Sequence, residues 1–243
     1  MDIILNGAAG RMGTVLRRLG EQNPDCRIVA AVDPYGKGAE FLPSLDSYRG
    51  SAHCIMDFSN HAGTKALTDY AVARGIPLII ATTGHTEEEL ACIRKAAETI
   101  PVFYSGNMSL GIALLTKLAR QTAQVFPDAD IEIVESHHNQ KLDVPSGTAL
   151  MLAKAIQDVR PEAELLVGRH ENGKRTKAEI GIHSIRMGNT VGIHEVIVNT
   201  GTQIITLKHE AQDRALFAEG ALAAAAFLVN QAPGLYNMDH MVR

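Results

Sequence analysis

The sequence predicts an α/β protein: a doubly wound parallel sheet plus a second, α+β domain built on a mixed sheet. Three observations predict this class. Through the first hundred residues, short apolar runs alternate with helical stretches, as they do where parallel strands are covered on both faces. The first run enters a glycine-rich turn that opens a helix. After Phe126-Pro127 the runs give way to polar–apolar alternation, which marks a sheet with one face less buried.

Taken in order, Ile3–Leu5 reads as a buried strand, and residues 11–20 as a helix with Met12, Val15, Leu16 and Leu19 on one face. Strands follow at Arg27–Val32 and Cys54–Phe58. His61–Arg74 is a predicted helix closed by Gly75, a residue that ends helices in the left-handed conformation. Pro77–Ala81 is the fourth strand. Thr86 with Glu89 has the capping-box spacing, which starts a helix reaching to about Thr99. Pro101–Tyr104 is the fifth strand. Leu110, Leu114 and Leu118 share a helical face, with Gly111 and Leu115 beside them. Alternation then marks Asp130–Ser136 and stretches of 180–187, 194–199 and 203–209 as strands, with one helix at Gly147–Val159. A strong helix follows Asp213 and is expected to return to the first domain. The dinucleotide-binding domain is therefore placed at 1–106 with 214–243, and the substrate and oligomerisation domain at 107–213. The polar loop 168–178 is open to two readings, an oligomer arm or a mobile segment.

Composition narrows the function. With 46% apolar and 21% charged residues, the chain is an ordinary globular one. It has no run of 18 apolar residues, and Ala221–Val229 is too short to span a bilayer. No basic segment precedes an apolar one at the start, so no signal peptide is expected. A net charge of −4 offers no general basic face for nucleic acid. Cys26, Cys54 and Cys92 are odd in number and widely spaced; they read as buried thiols in a reducing, cytoplasmic compartment.

The turn Gly7-Ala8-Ala9-Gly10-Arg11-Met12-Gly13 follows a strand and opens a helix. Its glycines allow a tight bend and close approach of a pyrophosphate, and the helix start offers unpaired N–H groups to phosphates. Asp33 stands at the end of the next strand, 20 residues after Gly13, where a Rossmann-like fold places a ribose-binding carboxylate. A carboxylate there repels a 2′-phosphate and favours NADH, while Arg11 and Lys37 are near enough in sequence to offset the repulsion. The cofactor is thus NADH, NADPH or both. Two later turns, Ala81-Thr82-Thr83-Gly84 and Ser105-Gly106-Asn107-Met108-Ser109, fall at the carboxyl edge of the sheet, where such folds bind ligands.

The segment Glu135–Thr148, ESHHNQKLDVPSGT, carries most of the remaining chemistry. His137 and Lys141 can supply protons, and His138 and Lys141 can hold anions. Ser146 or a neighbour caps the following helix, whose first N–H groups, at Gly147 and Thr148, form an anion site. No HExxH or cysteine cluster accompanies the histidines, so no metal is expected. Proton donors, cations and a carboxylate cradle together suit a hydride acceptor that carries carboxylates.

GAAGRMG, ESHHNQKLDVPSGTA, RMGNTVGIHEV and the tail HEAQDRALFAEGAL resemble the 4-hydroxy-tetrahydrodipicolinate (dihydrodipicolinate) reductase family over nearly the whole chain. The resemblance implies an NAD(P)H-dependent oxidoreductase of lysine and diaminopimelate biosynthesis, usually a homotetramer whose second-domain sheets pack together. It implies that Gly7, Ala8, Ala9, Gly10, Arg11 and Met12 hold the cofactor phosphates and Asp33 the adenosine ribose. Ala81, Thr82, Thr83, Ser105, Gly106, Asn107 and Met108 would line the nicotinamide side. His137 becomes the proton donor, Lys141 a second one, and His138, Gly147 and Thr148 the substrate-binding residues. The expected chemistry is loss of water from a cyclic hydroxy-imine dicarboxylate, hydride delivery to C4, and protonation by His137, with the two domains closing over the ligands. The chain departs from the family at Ala81 (usually Gly), at Ser105, Gly106 and Met108, and at Thr200-Gly201-Thr202. The competing readings are another two-domain amino-acid or semialdehyde dehydrogenase, which need not carry His-His-x-x-Lys ahead of Pro-Ser-Gly-Thr, and a non-catalytic NAD(H)-binding sensor.

Overall fold

A computed structural model describes residues 1–242, which divide into two compact units: residues 1–109 with 215–241, and residues 110–214 with 242. The first unit opens with β1 (Asp2–Asn6), α1 (Arg11–Gln22), β2 (Arg27–Val32), β3 (Phe41–Leu42), β4 (Cys54–Asp57), α2 (Thr64–Arg74), β5 (Leu78–Ile80), α3 (Glu87–Ala97) and β6 (Pro101–Tyr104). Every pairing among these strands is parallel, in the order β6-β5-β4-β1-β2-β3. Ile3, Ile4 and Leu5 are consecutive and all fully buried, as are Leu78, Ile79 and Ile80. Both faces of the sheet are therefore covered, which is why its strands read as unbroken apolar runs.

Local chemistry sets the helix ends. Gly75 closes α2 at φ +61°, with its N–H directed to the carbonyls of Ala71 and Val72. At α3 the Thr86 hydroxyl accepts from the Glu89 N–H while the Glu89 carboxylate accepts from the Thr86 N–H. The helix expected over 61–74 divides in two. The Asn60 side chain accepts from the Ala62 N–H, so 61–63 forms a 3₁₀ turn and the α-helix begins at Thr64. The strand expected over Cys54–Phe58 is β4 and stops at Asp57, and α3 stops at Ala97 rather than Thr99. Cys26 and Cys54 are buried as expected, but Cys92 is only half-buried. Burial pushes the Cys54 thiol up to about 12.

The second unit contains α4 (Leu110–Val125), β7 (Asp130–His137), α5 (Gly147–Gln157), β8 (Glu164–Val167), β9 (Glu179–Arg186), β10 (Gly192–Asn199) and β11 (Ile204–Ala211). Its sheet is mixed, in the order β11-β10-β7-β9-β8. β10 runs antiparallel to both neighbours, while β7–β9 and β9–β8 are parallel. Alternation places one side chain in two against α4 and α5, and the register aligns these side chains into rows across the sheet. Ile205, Val198, Ile131 and Ile180 form one row, and Leu207, Val196, Ile133 and Ile182 the next. The third row is polar: His209, His194, Glu135 and Ser184.

The leucines 110, 114 and 118 do share a face of α4, but it is not the face that the unit buries. They stay 37–48% exposed, whereas Ile112, Leu115, Ala119 and Ala123 enter the core. β8 escapes sequence detection because it is a four-residue edge strand with no buried side chain. The polar loop 168–178 forms no helix or strand, yet Arg175 pairs with Glu132 and donates to the Ile131 carbonyl.

The chain then returns to the first unit as α6 (Ala215–Leu228) and β12 (Gly234–Tyr236), the latter pairing in parallel with β6 as a seventh strand. β12 has only three residues and leaves no periodic signal. α6 is built of small residues because it lies close to backbone: a Cβ at Gly220 would sit 1.7 Å from the Met108 carbonyl oxygen. Gly220→Ala is expected to destabilise the chain by about 1–3 kcal/mol, the usual cost of overpacking. Gly63→Ala, where a Cβ meets nothing within 4 Å, is expected to be neutral or slightly stabilising. Urea midpoints of the two variants check both; equal midpoints would contradict this packing.

Candidate functional site

At the carboxyl edge of the parallel sheet, β1 passes into the glycine turn. Gly7 adopts φ +82° and donates to the Val32 carbonyl at 2.9 Å; a Cβ on it would lie 2.5 Å from the Phe58 carbonyl oxygen. A Cβ on Gly13 would lie 2.3 Å from the Gly7 carbonyl oxygen, so this glycine lets α1 pack against the turn. Gly10 is the N-cap of α1 and supplies no capping side chain, which leaves the first-turn donors for an anion. Ala8 is wholly buried and Met12 half-buried, whereas Ala9, Gly10 and Arg11 are exposed. Asp33 closes the turn from the side: its carboxylate accepts from the Ala9 N–H at 3.0 Å and the Tyr35 N–H at 2.9 Å. The sites of the second group also converge. Ser105 N–H donates to the Ile80 carbonyl at 3.1 Å, and a Cβ on Gly106 would touch Thr83 at 3.4 Å. Asn107 accepts through its side chain from the Ser109 N–H at 2.9 Å. The Ala81 N–H donates to the Asp57 carbonyl at 3.0 Å. Met108 is 2% exposed, so its side chain belongs to the core.

The hub of this edge is a residue that the sequence reading passed over. Asp57, 2% exposed, accepts from Asn6 at 2.7 Å, Ser59 at 2.5 Å and Thr82 at 2.6 Å. It ties the ends of β1, β4 and β5 together and takes up the Thr82 hydroxyl. A lone acid ending an apolar run was the available signal.

In the second unit, the polar row and its neighbours make one connected cluster. Glu135 stands at the same parity as Ile131 and Ile133 and is 0% exposed. Arg186 holds both its oxygens, at 2.8 and 2.9 Å. His137 Nδ1 lies 2.5 Å from Glu135 Oε2, and the Ser146 N–H donates to Oε1 at 3.2 Å. Burial alone would raise the Glu135 carboxyl, but Arg186 and His137 outweigh it and hold it down at about 2. Burial pushes His137 below the usual imidazole range against the pull of Glu135, with Lys141 and Arg186 pushing the same way as burial. Gly192 leaves room for this ring: a Cβ there would be 3.2 Å from Nε2.

Ser146 caps α5 by accepting from the Ala149 N–H at 3.2 Å, and its hydroxyl meets His194 Nε2 at 3.2 Å. The rings of His137 and His194 stand edge to face at 5.1 Å. Lys141 Nζ pairs with Asp143 at 2.7 Å, and that ammonium holds the Asp143 carboxyl below its usual range. His138 Nε2 lies 3.5 Å from Arg214, and Gly147 is exposed at the start of α5. The structure thus gathers His137, Lys141 and the Gly147–Thr148 helix start along the connection from β7 to α5. It adds Glu135, Arg186 and His194, which the sequence reading missed. Period-two counting along β7 and β10 would have shown Glu135 and His194 at inward positions.

Among the described residues, no group of three or more His, Cys, Asp or Glu is disposed to hold a metal, and no helix is long and apolar enough to cross a membrane.

Comparison with known proteins agrees with this architecture. Residues 1–108 match the family model described as dihydrodipicolinate reductase, N-terminus, and residues 111–242 the one described as its C-terminus. A 4-hydroxy-tetrahydrodipicolinate reductase of Caldanaerobacter subterraneus subsp. tengcongensis is 45% identical, over 99% of this chain and 98% of its own. The same-named protein of Clostridium tetani is 42% identical, over 99% and 96%. The solved structure of a dipicolinate-bound dihydrodipicolinate reductase from Paenisporosarcina sp. TG-14 superposes with a TM-score of 0.84 at 26% identity, covering 99% of each chain.

The burial of His194 has a measurable consequence. Burial, with the neighbouring His137 next, pushes its imidazole down to about 4, against ~6.5 in an unfolded chain. Between those values the unfolded chain binds the proton and the folded one does not. The stability from this group is therefore complete above pH ~6.5 and is lost as pH falls toward ~4, by about 3 kcal/mol. His194→Gln is expected to flatten the fall of urea-unfolding stability over that window. An unchanged slope would contradict a neutral, buried His194.

Proposed function

The chain belongs to the dihydrodipicolinate reductase family, oxidoreductases of lysine and diaminopimelate biosynthesis, and from that premise we propose that it reduces 4-hydroxy-tetrahydrodipicolinate with NADH, NADPH or both. The observation that carries this reading is the convergence, within one unit, of an imidazole, an ammonium and the Ser146-capped start of a helix.

The first unit suits a pyridine nucleotide. An α1 start without a side-chain cap, at a turn made of Gly7, Gly10 and Gly13, fits a pyrophosphate. Gly7, Ala8, Ala9, Gly10, Arg11 and Met12 would hold it, and Asp33, already oriented by two backbone N–H groups, would accept from a ribose. Ala81, Thr82, Thr83, Ser105, Gly106, Asn107 and Met108 would border the nicotinamide, Met108 through its backbone. When bound, the reduced nicotinamide supplies the hydride.

The second unit holds the dicarboxylate. The Gly147 and Thr148 N–H groups would bind one carboxylate at the start of α5, with His138 and Lys141 as cationic partners. His137 would deliver the proton to the substrate as charge develops on it, with Lys141 assisting. An imidazole suits the task because its ordinary pKa of ~6.5 is near neutral and its environment can move it; at His137 burial moves it down and Glu135 pulls the other way. The Paenisporosarcina enzyme was solved with dipicolinate, a planar diacid of the size this cradle would take.

The family also supports a homotetramer working in the cytoplasm. In the second unit the helices cover one face of the sheet. The opposite face presents Val134, Ile193 and Ile197, half-buried, with Ile185 and Ile204 exposed, interspersed with the ion pairs Lys208–Glu195 and His183–Glu132, a mixed surface that a second copy could cover.

Loss of NADH absorbance is expected when the purified chain receives the product of the preceding synthase; no loss with either nucleotide would refute the reading. His137→Gln is expected to lower kcat by roughly 10²–10⁴-fold, the share that general acids contribute, with NADH affinity unchanged in a fluorescence titration. Lys141→Ala should weaken both substrate binding and turnover. Removing the Asp33 charge, as in Asp33→Ser, should shift the kcat/KM ratio toward NADPH, because the repulsion of a 2′-phosphate is lost; an unmoved ratio would take Asp33 out of the ribose site.

A further inference from the structure

We propose that Glu135, clamped by Arg186, is the positioning residue of this reaction: it keeps a proton on Nδ1 of His137 and leaves Nε2, beside Gly192, as the ring atom through which the transferable proton passes. The proposal rests on the assignment of His137 as proton donor and adds the group that sets its tautomer.

Geometry carries it. An ionised carboxylate only accepts hydrogen bonds, so at 2.5 Å from Glu135 Oε2 the His137 Nδ1 must be the donor. Glu135 is kept ionised in a fully buried position by the two-pronged Arg186 contact, at 2.8 and 2.9 Å. Its freedom to turn is removed by the Ser146 N–H at 3.2 Å. The His137 main chain is pinned as well, its carbonyl accepting from the Met187 N–H at 2.9 Å. With both the backbone and Nδ1 fixed, the imidazole has one orientation and one tautomer when neutral. The same carboxylate bonds the residue that caps α5, so the proton donor and the proposed carboxylate cradle are held by one group. A salt bridge serving only to hold the sheet together would need no histidine at this distance.

The charges around His137 give the proposal a signed prediction. The ring faces Glu135 on its own strand, Arg186 on β9, His194 on β10 with His209 paired beyond it on β11, and Lys141, itself paired with Asp143, in the following loop. Among the described residues, Glu135 is the anion in direct contact with the ring, and Asp143 reaches the site through Lys141. Replacing Glu135 by Gln leaves cations around the imidazole and disfavours its protonated form. Donation requires that form, so the fall of kcat with rising pH should begin at lower pH.

Three measurements test this. In the wild-type chain at pH 8, long-range proton–nitrogen NMR of labelled histidine should show His137 protonated on Nδ1; the Nε2–H tautomer would overturn the proposal without any variant. Glu135→Gln should lower kcat by roughly 100-fold, toward the low end of what general acids contribute, with NADH KM unchanged. It should also move the alkaline limb of the kcat profile down by about one pH unit or more. A wild-type limb and rate would overturn it. Glu135→Asp, which keeps the charge, should recover part of the rate and the limb, and it stands in if the Gln variant does not fold. A fully active His137→Gln would instead remove the functional assignment itself, so the two failures are distinguishable.

Discussion

A carboxylate buried where the pleat calls for an apolar side chain is costly unless its charge is answered on every side. Glu135 occupies such a position, continuing the inward series of Ile131 and Ile133, and the rest of the second unit's chemistry is arranged around it. Arg186 answers it from the adjacent strand, His137 from two residues along its own strand, and Ser146 from the start of α5. Each partner comes from a different part of the chain. The carboxylate thereby converts tertiary packing into a defined orientation for one imidazole. The two apolar rows beneath make this possible, because they lock the register that brings Glu135 opposite His194 and Ser184.

The first unit solves a related problem with backbone rather than charge. Its strands are buried on both faces, so polar groups appear only where they end. There Gly7 and Gly13 bring β1 and α1 into contact distances no side chain would permit. Asp57 plays the part in this unit that Glu135 plays in the other: a buried carboxylate whose hydrogen bonds come from three separate segments. In both units a rigid sheet edge, not a free loop, positions the polar groups, which favours the small positional errors that binding and catalysis tolerate.

Much was legible without coordinates, for reasons that are local. The glycine turn, the Thr86–Glu89 capping box, the Gly75 helix stop and the strand at Arg27–Val32 are each determined by residues within a few positions of one another. The His137–Lys141 segment ahead of Pro-Ser-Gly-Thr is also local, as is the motif likeness that identified the family. β8 and β12 were not legible, being three- or four-residue edge strands that exist only because a neighbouring strand pairs with them. The leucine face of α4 misled for a similar reason: helical periodicity says which residues share a face, not which face finds a partner.

The sequence by itself determined the alternation of strands and helices, the glycine turn that opens α1 and the gathering of His137, His138 and Lys141 in one short segment, because these depend on nearest neighbours along the chain. Only the tertiary structure decided that Glu135 is buried and paired with Arg186, fifty-one residues away, and that His194 sits against His137. Those contacts depend on the register between strands, and register is fixed by side-chain packing across the whole sheet rather than by any one segment.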